Sequence, residues 1–329
     1  MLVRLALQAM GTRFELVLQG EDEGPRAESY LRAAGEEALA EVEQLDARLS
    51  LFRRDSLLSH IQRNAANQPV AVDPDTFGLF ELCERVHLAS HGSFDPTVAP
   101  LMRAFGLHDD LAQTAETSVE EARTHIGWKL GVGLLRNPNR VVFHSRGIAL
   151  DMGGVAKGHA LDLAAQVLRE AGVQRALLHG GTSTVVAIGH PLNREGWPIA
   201  LGPGRDAPRV VLCDDCLSVS APSSRSVQHE GRRVGHVLDP RTGEPASAAL
   251  VAATLSSSAA EADAWSTALL VSANHSVLPA HMESLLGTAE ESGGAAPAHW
   301  FHRPRVCAPE STGFSHVPPS RQAAPLQTQ

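Results

Sequence analysis

The order of elements predicts an α+β fold. Strand-like runs between residues 176 and 254 follow one another with few helices among them, and no regular βαβ alternation occurs. A chain of 329 residues holds one large or two ordinary domains, and 43% apolar residues suffice for a core. The formal charge of −9 argues against a nucleic-acid or anionic-membrane surface. No stretch is long enough to span a bilayer. The opening MLVRLALQAMGT has a single Arg and too short an apolar run for a signal peptide, so a cytoplasmic location is expected.

In chain order, Arg13–Leu18 alternates as a strand, and apolar positions at helical spacing from Leu31 to Phe52 make a long amphipathic helix over 28–52. Asp73-Pro74 reads as an N-cap with Pro at the first helical position; Phe77, Phe80, Cys83 and Val86 give that helix its buried face. His87 and His91 lie one turn apart, either half of a metal site or a polar helix end, with no third ligand evident. Gly92-Ser-Phe-Asp-Pro-Thr97 then breaks the helix. Ser118-Val-Glu-Glu121 and Ser258-Ala-Ala-Glu261 are capping boxes. Val141–Phe143 and Ile148–Leu150 read as a strand pair joined by a turn at 144–147. Further strands are expected at 176–178, 184–188, 199–201, 209–213, 217–220, 234–238 and 250–254. Past Asn274 the Pro, His, Ser and Gln content rises, which places a boundary between a domain over 1–274 and a weakly ordered tail over 275–329.

Four Cys, at 83, 213, 216 and 307, are too scattered for a disulfide framework. The Cys213-Asp-Asp-Cys216 spacing lacks the second pair or His of a zinc set, so these read as ordinary strand-end residues.

The stretch from Ile148 to Asp162 concentrates the chemistry. An apolar run delivers Asp151, turns through Gly153-Gly154 and restarts as a helix around Lys157-Gly158. Glycines let backbone approach a ligand, and a helix N-terminus with a Lys beside it suits an anion. It is not a P-loop, since the GxxxxGK[ST] spacing is missing. Asp263 and Thr267 stand four apart on the helix after Ser258, so their oxygens share one face. With a carbonyl near Gly154 they would suit Mg²⁺, a hard cation wanting oxygen ligands. The alternative is a solvated Asp and a Thr bonded back to its own helix.

On spacing alone the second reading is favoured; several motifs in fixed order change that balance. Met10-Gly-Thr12, Asp55-Ser56, Gly92-Ser-Phe-Asp-Pro-Thr97, Leu150-Asp-Met-Gly-Gly-Val-Ala-Lys-Gly158, Gly180-Gly181, His236-Val-Leu-Asp-Pro-Arg-Thr-Gly243 and Ala262-Asp-Ala-Trp-Ser-Thr-Ala268 together resemble the ApbE-like FAD:protein FMN transferases, over roughly residues 8–271. The resemblance implies mixed, largely antiparallel sheets with packed helices in a single catalytic unit. It also implies an Mg²⁺-dependent enzyme that moves FMN from FAD to a Thr or Ser hydroxyl of an acceptor flavoprotein and releases AMP. Position by position, it puts Met10, Phe52, Ser93, Phe94, Asp95, Asp151, Lys157, Ser220, His236 and Val237 around FAD, and Gly154, Asp263 and Thr267 around the cation. The chain departs from the pattern at several places: Phe52 replaces a common Tyr, Asp55-Ser56-Leu57-Leu58-Ser59 lacks the Glu usual after its first Ser, Thr182 replaces a common Asp, and Ser266 a carboxylate that some relatives supply.

For mechanism, in-line attack by the acceptor hydroxyl needs little covalent help. His236 is the candidate general base, because an ordinary His titrates near neutrality; the alternatives are a structural His closing the Asp239–Gly243 turn, and Asp151 as the base. Two other functions stay open on sequence: an FAD pyrophosphatase with water as nucleophile, and a non-catalytic FAD-binding scaffold.

Overall fold

The computed structural model describes residues 1–108, 118–201, 209–222, 226–247, 249, 251–279 and 282–287. The chain opens with a hairpin of β1 (Leu2–Ala9) and β2 (Thr12–Gln19). Met10 and Gly11, both at positive φ, make its two-residue turn, the geometry that matches strand twist. The N-terminal run weighed above as a leader is therefore an edge strand.

Helix α1 (Pro25–Leu49) follows. It stops short of the expected Phe52 because Ser50 turns extended and its hydroxyl accepts the N–H groups of Phe52 and Arg53. Next come α2 (Leu57–Asn64), β3 (Val70–Ala71) and α3 (Pro74–Ala89). Asp73 caps α3 as expected, accepting from the Thr76 N–H at 3.0 Å. A 3₁₀ turn (Pro96–Val98) leads to α4 (Ala99–Ala104), and Ser118 caps α5 (Val119–Arg123). The chain continues through α6 (Trp128–Gly131), β4 (Val132–Leu135), β5 (Arg140–Phe143) and α7 (Ala156–Glu170). Six strands follow: β6 (Ala176–Gly180), β7 (Thr184–Ile188), β8 (Trp197–Ala200), β9 (Arg209–Leu212), β10 (Cys216–Ser220) and β11 (Ser226–His229). Then come β12 (Arg232–Gly235), β13 (Val251–Ser256), α8 (Ala259–Ser272) and β14 (Glu283–Gly287).

The main sheet runs β1-β2-β6-β7-β10-β13-β14, antiparallel throughout. Its period-2 alternation separates two cores. Phe14, Leu16, Leu18, Leu178 and Val186 join the larger core under α1 and α7. Val185, Ala187, Leu217 and Ala253 point the other way, onto the β8–β9 hairpin and Trp197. Helix α8 packs on β10, β13 and α7. The α+β class holds.

Two expectations are corrected here. Ile148–Leu150 is not a strand: both edges of β5 are already taken, by β4 on one side and β3 on the other. The segment runs instead as buried irregular backbone, and the Asp151 N–H is satisfied by the Pro96 carbonyl at 2.7 Å. The sheet also continues past residue 274. Ala273 ends α8 in the left-handed conformation, and β14 then pairs with β13. Two apolar residues in Glu283–Gly287 carry too little alternation to announce that strand. The stretch from 288 onward, expected to be weakly ordered, lies outside the described residues.

Cys213 is disulfide-bonded but not to Cys216, a free thiol whose pKa is pushed up by burial. The CxxC spacing is therefore not a redox pair. His87 is buried, with Nδ1 3.1 Å from the Phe94 carbonyl, so it braces the loop after α3. Among the described residues no cluster of three His, Cys, Asp or Glu is placed to hold a metal.

Candidate active site

The β1–β2 turn, the loop after α1, the loop after α3, the start of α7, the end of β10, residues 236–238 and α8 surround one cleft of about 620 Å³. Every residue that the resemblance puts around FAD or the cation lines it: Met10, Phe52, Ser93, Phe94, Asp95, Asp151, Gly154, Lys157, Ser220, His236, Val237, Asp263 and Thr267. These residues span more than 250 positions of chain, so the fold, not local spacing, brings them together.

Asp263 sits 3% exposed on α8. Its Oδ1 accepts from the Ser218 hydroxyl at 3.0 Å and the Thr184 hydroxyl at 3.4 Å. Its Oδ2 accepts from the Gly158 N–H at 3.2 Å and lies 3.6 Å from Lys157 Nζ. Lys157 Nζ in turn donates to the Gly153 carbonyl at 2.8 Å. The anion seen at the N-terminus of α7 is thus a side chain of the protein itself. Gly158 is needed for a helix contact rather than a ligand: a Cβ there would stand 2.2 Å from the Ala259 carbonyl oxygen.

Around Asp263 spreads a bed of hydroxyls. Ser266 Oγ lies 3.3 Å from Ser218 Oγ and 2.8 Å from Ser220 Oγ, and Ser220 Oγ is 3.4 Å from Thr267 Oγ1. Thr267 also bonds back to the Asp263 carbonyl at 3.2 Å, as the alternative reading anticipated, yet faces the cleft. A Cβ on Gly154 would be 3.3 Å from Thr267 Oγ1, so the glycine turn and α8 meet at this point.

Asp151 keeps different company. Its Oδ2 is 2.9 Å from His108 Nε2, and its Oδ1 accepts the Gly153 N–H at 2.6 Å. Burial works against the charged carboxyl, but the His108 bond and charge, the Gly153 N–H and Lys157 outweigh it and hold Asp151 below the usual carboxylate range. His108 is 8% exposed, and its Nδ1 has no hydrogen-bond partner among the described residues. Its ring meets the half-exposed Phe52 edge-on, with centroids 6.3 Å apart.

Asp95 turns inward. Its carboxylate accepts from Thr97 N–H at 2.8 Å, Thr97 Oγ1 at 2.6 Å and Trp128 N–H at 3.1 Å, which builds the loop that presents Ser93 and Phe94. Ser93 Oγ is buried without a hydrogen-bond partner among the described residues. His236 is half-buried in the cleft wall, just before the turn that Asp239 closes onto Arg241 at 2.8 and 2.9 Å.

Sequence reasoning passed over His108, Thr184 and Asp162. Nothing local links His108 to Asp151, 43 positions away. Ser218 and Ser220 did carry a signal: two hydroxyls at period 2 in an apolar strand mark a face turned to something polar.

An antiparallel sheet backed by helices, with a carboxylate, an ammonium and hydroxyls converging in one cleft, is the site of an enzyme that handles a charged substrate. Residues 10–285 match the model of the ApbE family. The chain belongs to that family and is a transferase. The FAD:protein FMN transferase of Klebsiella pneumoniae (strain 342) is 29% identical over 277 residues, covering 80% of this chain and 77% of that one. The protein of the same name from Treponema pallidum (strain Nichols) is 28% identical over 268 residues, covering 75% and 73%. The crystal structure of the ApbE protein of Thermotoga maritima superposes with a TM-score of 0.75 at 27% identity, over 87% of this chain and 94% of that one.

Proposed function

We propose that this chain transfers FMN from FAD to a Thr or Ser hydroxyl of an acceptor flavoprotein, forming a phosphoester and releasing AMP in an Mg²⁺-dependent reaction. The observation that carries this reading is the convergence of Asp263, Thr267, Gly154 and Lys157 at one place in a cleft of about 620 Å³. That size falls within the roughly 300–1,000 Å³ of ligand sites.

The donors fit a hard cation. One buried carboxylate, one hydroxyl and a backbone carbonyl are all oxygen ligands, the kind a hard cation takes. Asp263, Thr267 and the Gly154 carbonyl would hold Mg²⁺, which when bound neutralises charge on the pyrophosphate. Lys157 adds a second positive charge beside it. Phe52, half-exposed at the mouth, offers a face for the flavin ring. Ser93 and Phe94 are fixed by Asp95 from behind. Met10 and Val237 supply apolar wall, and Ser220 a hydroxyl at the edge of the cation seat.

His236 is the better base. Asp151 has both oxygens engaged and its carboxyl held low, which makes it a poor proton acceptor at neutral pH and a good acceptor of ligand hydroxyls. In this scheme His236 takes the acceptor hydroxyl's proton while that oxygen attacks the FMN-side phosphorus in line with the departing AMP.

The test combines FAD, Mg²⁺ and a candidate acceptor fragment, with flavin fluorescence on a denaturing gel and AMP measured together. Covalent flavin with stoichiometric AMP is expected. AMP without covalent flavin would replace this reading with a pyrophosphatase, and neither product would leave a scaffold.

A further inference from the structure

We propose that Asp162 is a positioning residue for the cation side of the cleft: from α7 it clamps the first turn of α8, and so sets where Asp263 and Thr267 stand. This rests on the cation seat proposed above. Asp162 Oδ2 accepts from Ser258 Oγ at 2.8 Å and the Ala260 N–H at 2.9 Å, and Oδ1 accepts from the Ala259 N–H at 2.8 Å. Ser258 is itself the N-cap of α8, accepting the Glu261 N–H at 3.2 Å. A carboxylate from another helix therefore takes the orphan donors that the α8 cap leaves over, at the end of the helix that favours negative charge.

The exchange runs both ways. Gly158 and Asp162 are one turn apart on α7, and Ala259 and Asp263 one turn apart on α8. Asp162 receives the N-terminus of α8, while Asp263 receives the Gly158 N–H of the first turn of α7. Between them the helices touch backbone to backbone, with room for only a hydrogen on Gly158.

Helix α8 needs such a clamp. It is buried on nearly all sides, from Ala259 and Ala260 through Trp265, Leu269 and Val271. Apolar contact is non-directional, so it holds the helix in the core without fixing its slide or rotation. Directional hydrogen bonds at one end do fix both. A misplacement on the order of 1 Å at reacting groups costs about 10²-fold in rate, so the setting of α8 is a functional quantity.

The experiment uses the full chain and compares wild type with Asp162→Asn, Ser258→Ala and the remote cap variant Ser118→Ala. Mn²⁺ binding is read by paramagnetic resonance without FAD, FAD binding by flavin fluorescence, and Tm by calorimetry. Asp162→Asn keeps the shape but loses the charge and one acceptor. It should weaken Mn²⁺ binding by roughly 10–100-fold, the range for groups that orient metal ligands. FAD affinity should move less than about threefold, because Lys157 and the flavin wall stay in place. Ser258→Ala should show a smaller loss in the same direction. Ser118→Ala should lower Tm without moving Mn²⁺ affinity. An Asp162→Asn protein that loses Tm yet binds Mn²⁺ like wild type would overturn the proposal and leave Asp162 as a cap alone. A wild-type chain that binds no Mn²⁺ would remove the cation seat itself, and this inference with it.

Discussion

Asp151 and Asp263 line the same cleft and share Lys157 as a neighbour, but their surroundings differ. Asp151 is matched by an imidazole and a backbone N–H, a self-contained arrangement that leaves an oriented, low-pKa acceptor. Asp263 is held by neutral hydroxyls and one N–H, with Lys157 at 3.6 Å as its only ion pair among the described residues. Neutral donors position a carboxylate without cancelling its charge, so Asp263 still has charge to offer a cation. In the proposed reaction one wall of the cleft would orient and the other attract.

The largest expected effect tests the attracting wall. Asp263→Asn keeps volume and removes the charge, and the loss of Lewis-acid stabilisation should slow AMP release on the order of 10³-fold. Partial recovery at high Mg²⁺ is expected, and Thr267→Val should give a milder version. Initial rates against Mg²⁺ concentration decide it: superimposable curves would make the pair structural. The second prediction asks whether Asp151 is excluded as base. His236→Asn should slow transfer on the order of 10²-fold, the low end of the general-base range because the transition state is loose. FAD affinity should stay nearly constant by fluorescence titration. An unchanged rate would return the role to Asp151.

The smallest effect sharpens the orienting wall. In the folded protein the Asp151 carboxyl lies below its unfolded value of about 3.9. Its contribution to stability is therefore complete above that value and is lost as pH falls through the lower folded value. His108→Leu removes the bond and charge that hold it down and leaves burial to push it up. The acid limb of the stability curve should then begin at higher pH, while transfer at neutral pH changes by less than about tenfold. Circular dichroism against pH checks this; coincident acid limbs would show that His108 does not hold Asp151.

The fold class, the long helices and their caps were legible because periodicity and capping residues act within a few positions. Asp73, Ser118 and Ser258 cap through their side chains, but the box at Ser258 does not close: its N–H goes to Ser256 Oγ, and Glu261 accepts from the Ser256 hydroxyl instead. The misread parts depend on partners. Ile148–Leu150 has strand composition but no free edge to join, and β14 is a strand because β13 has one. The site residues emerged from ordered motifs and converge as a set in one cleft. His108 and Asp162 act on residues far off in sequence, so no spacing could reveal them.

The hydroxyl bed around Asp263 has one more consequence. Ser218, Ser266, Ser220 and Thr267 form a chain of rotors spaced 2.8 to 3.4 Å apart. Ser218 reaches the carboxylate, and each of the others can turn its hydrogen toward the next oxygen of the chain while every heavy atom stays still. Such a bed works as a captive solvent: it polarises as charge arrives or leaves, but unlike water it cannot drift away. A site backed in this way can take up cations of somewhat different size by turning hydrogens rather than by moving α8.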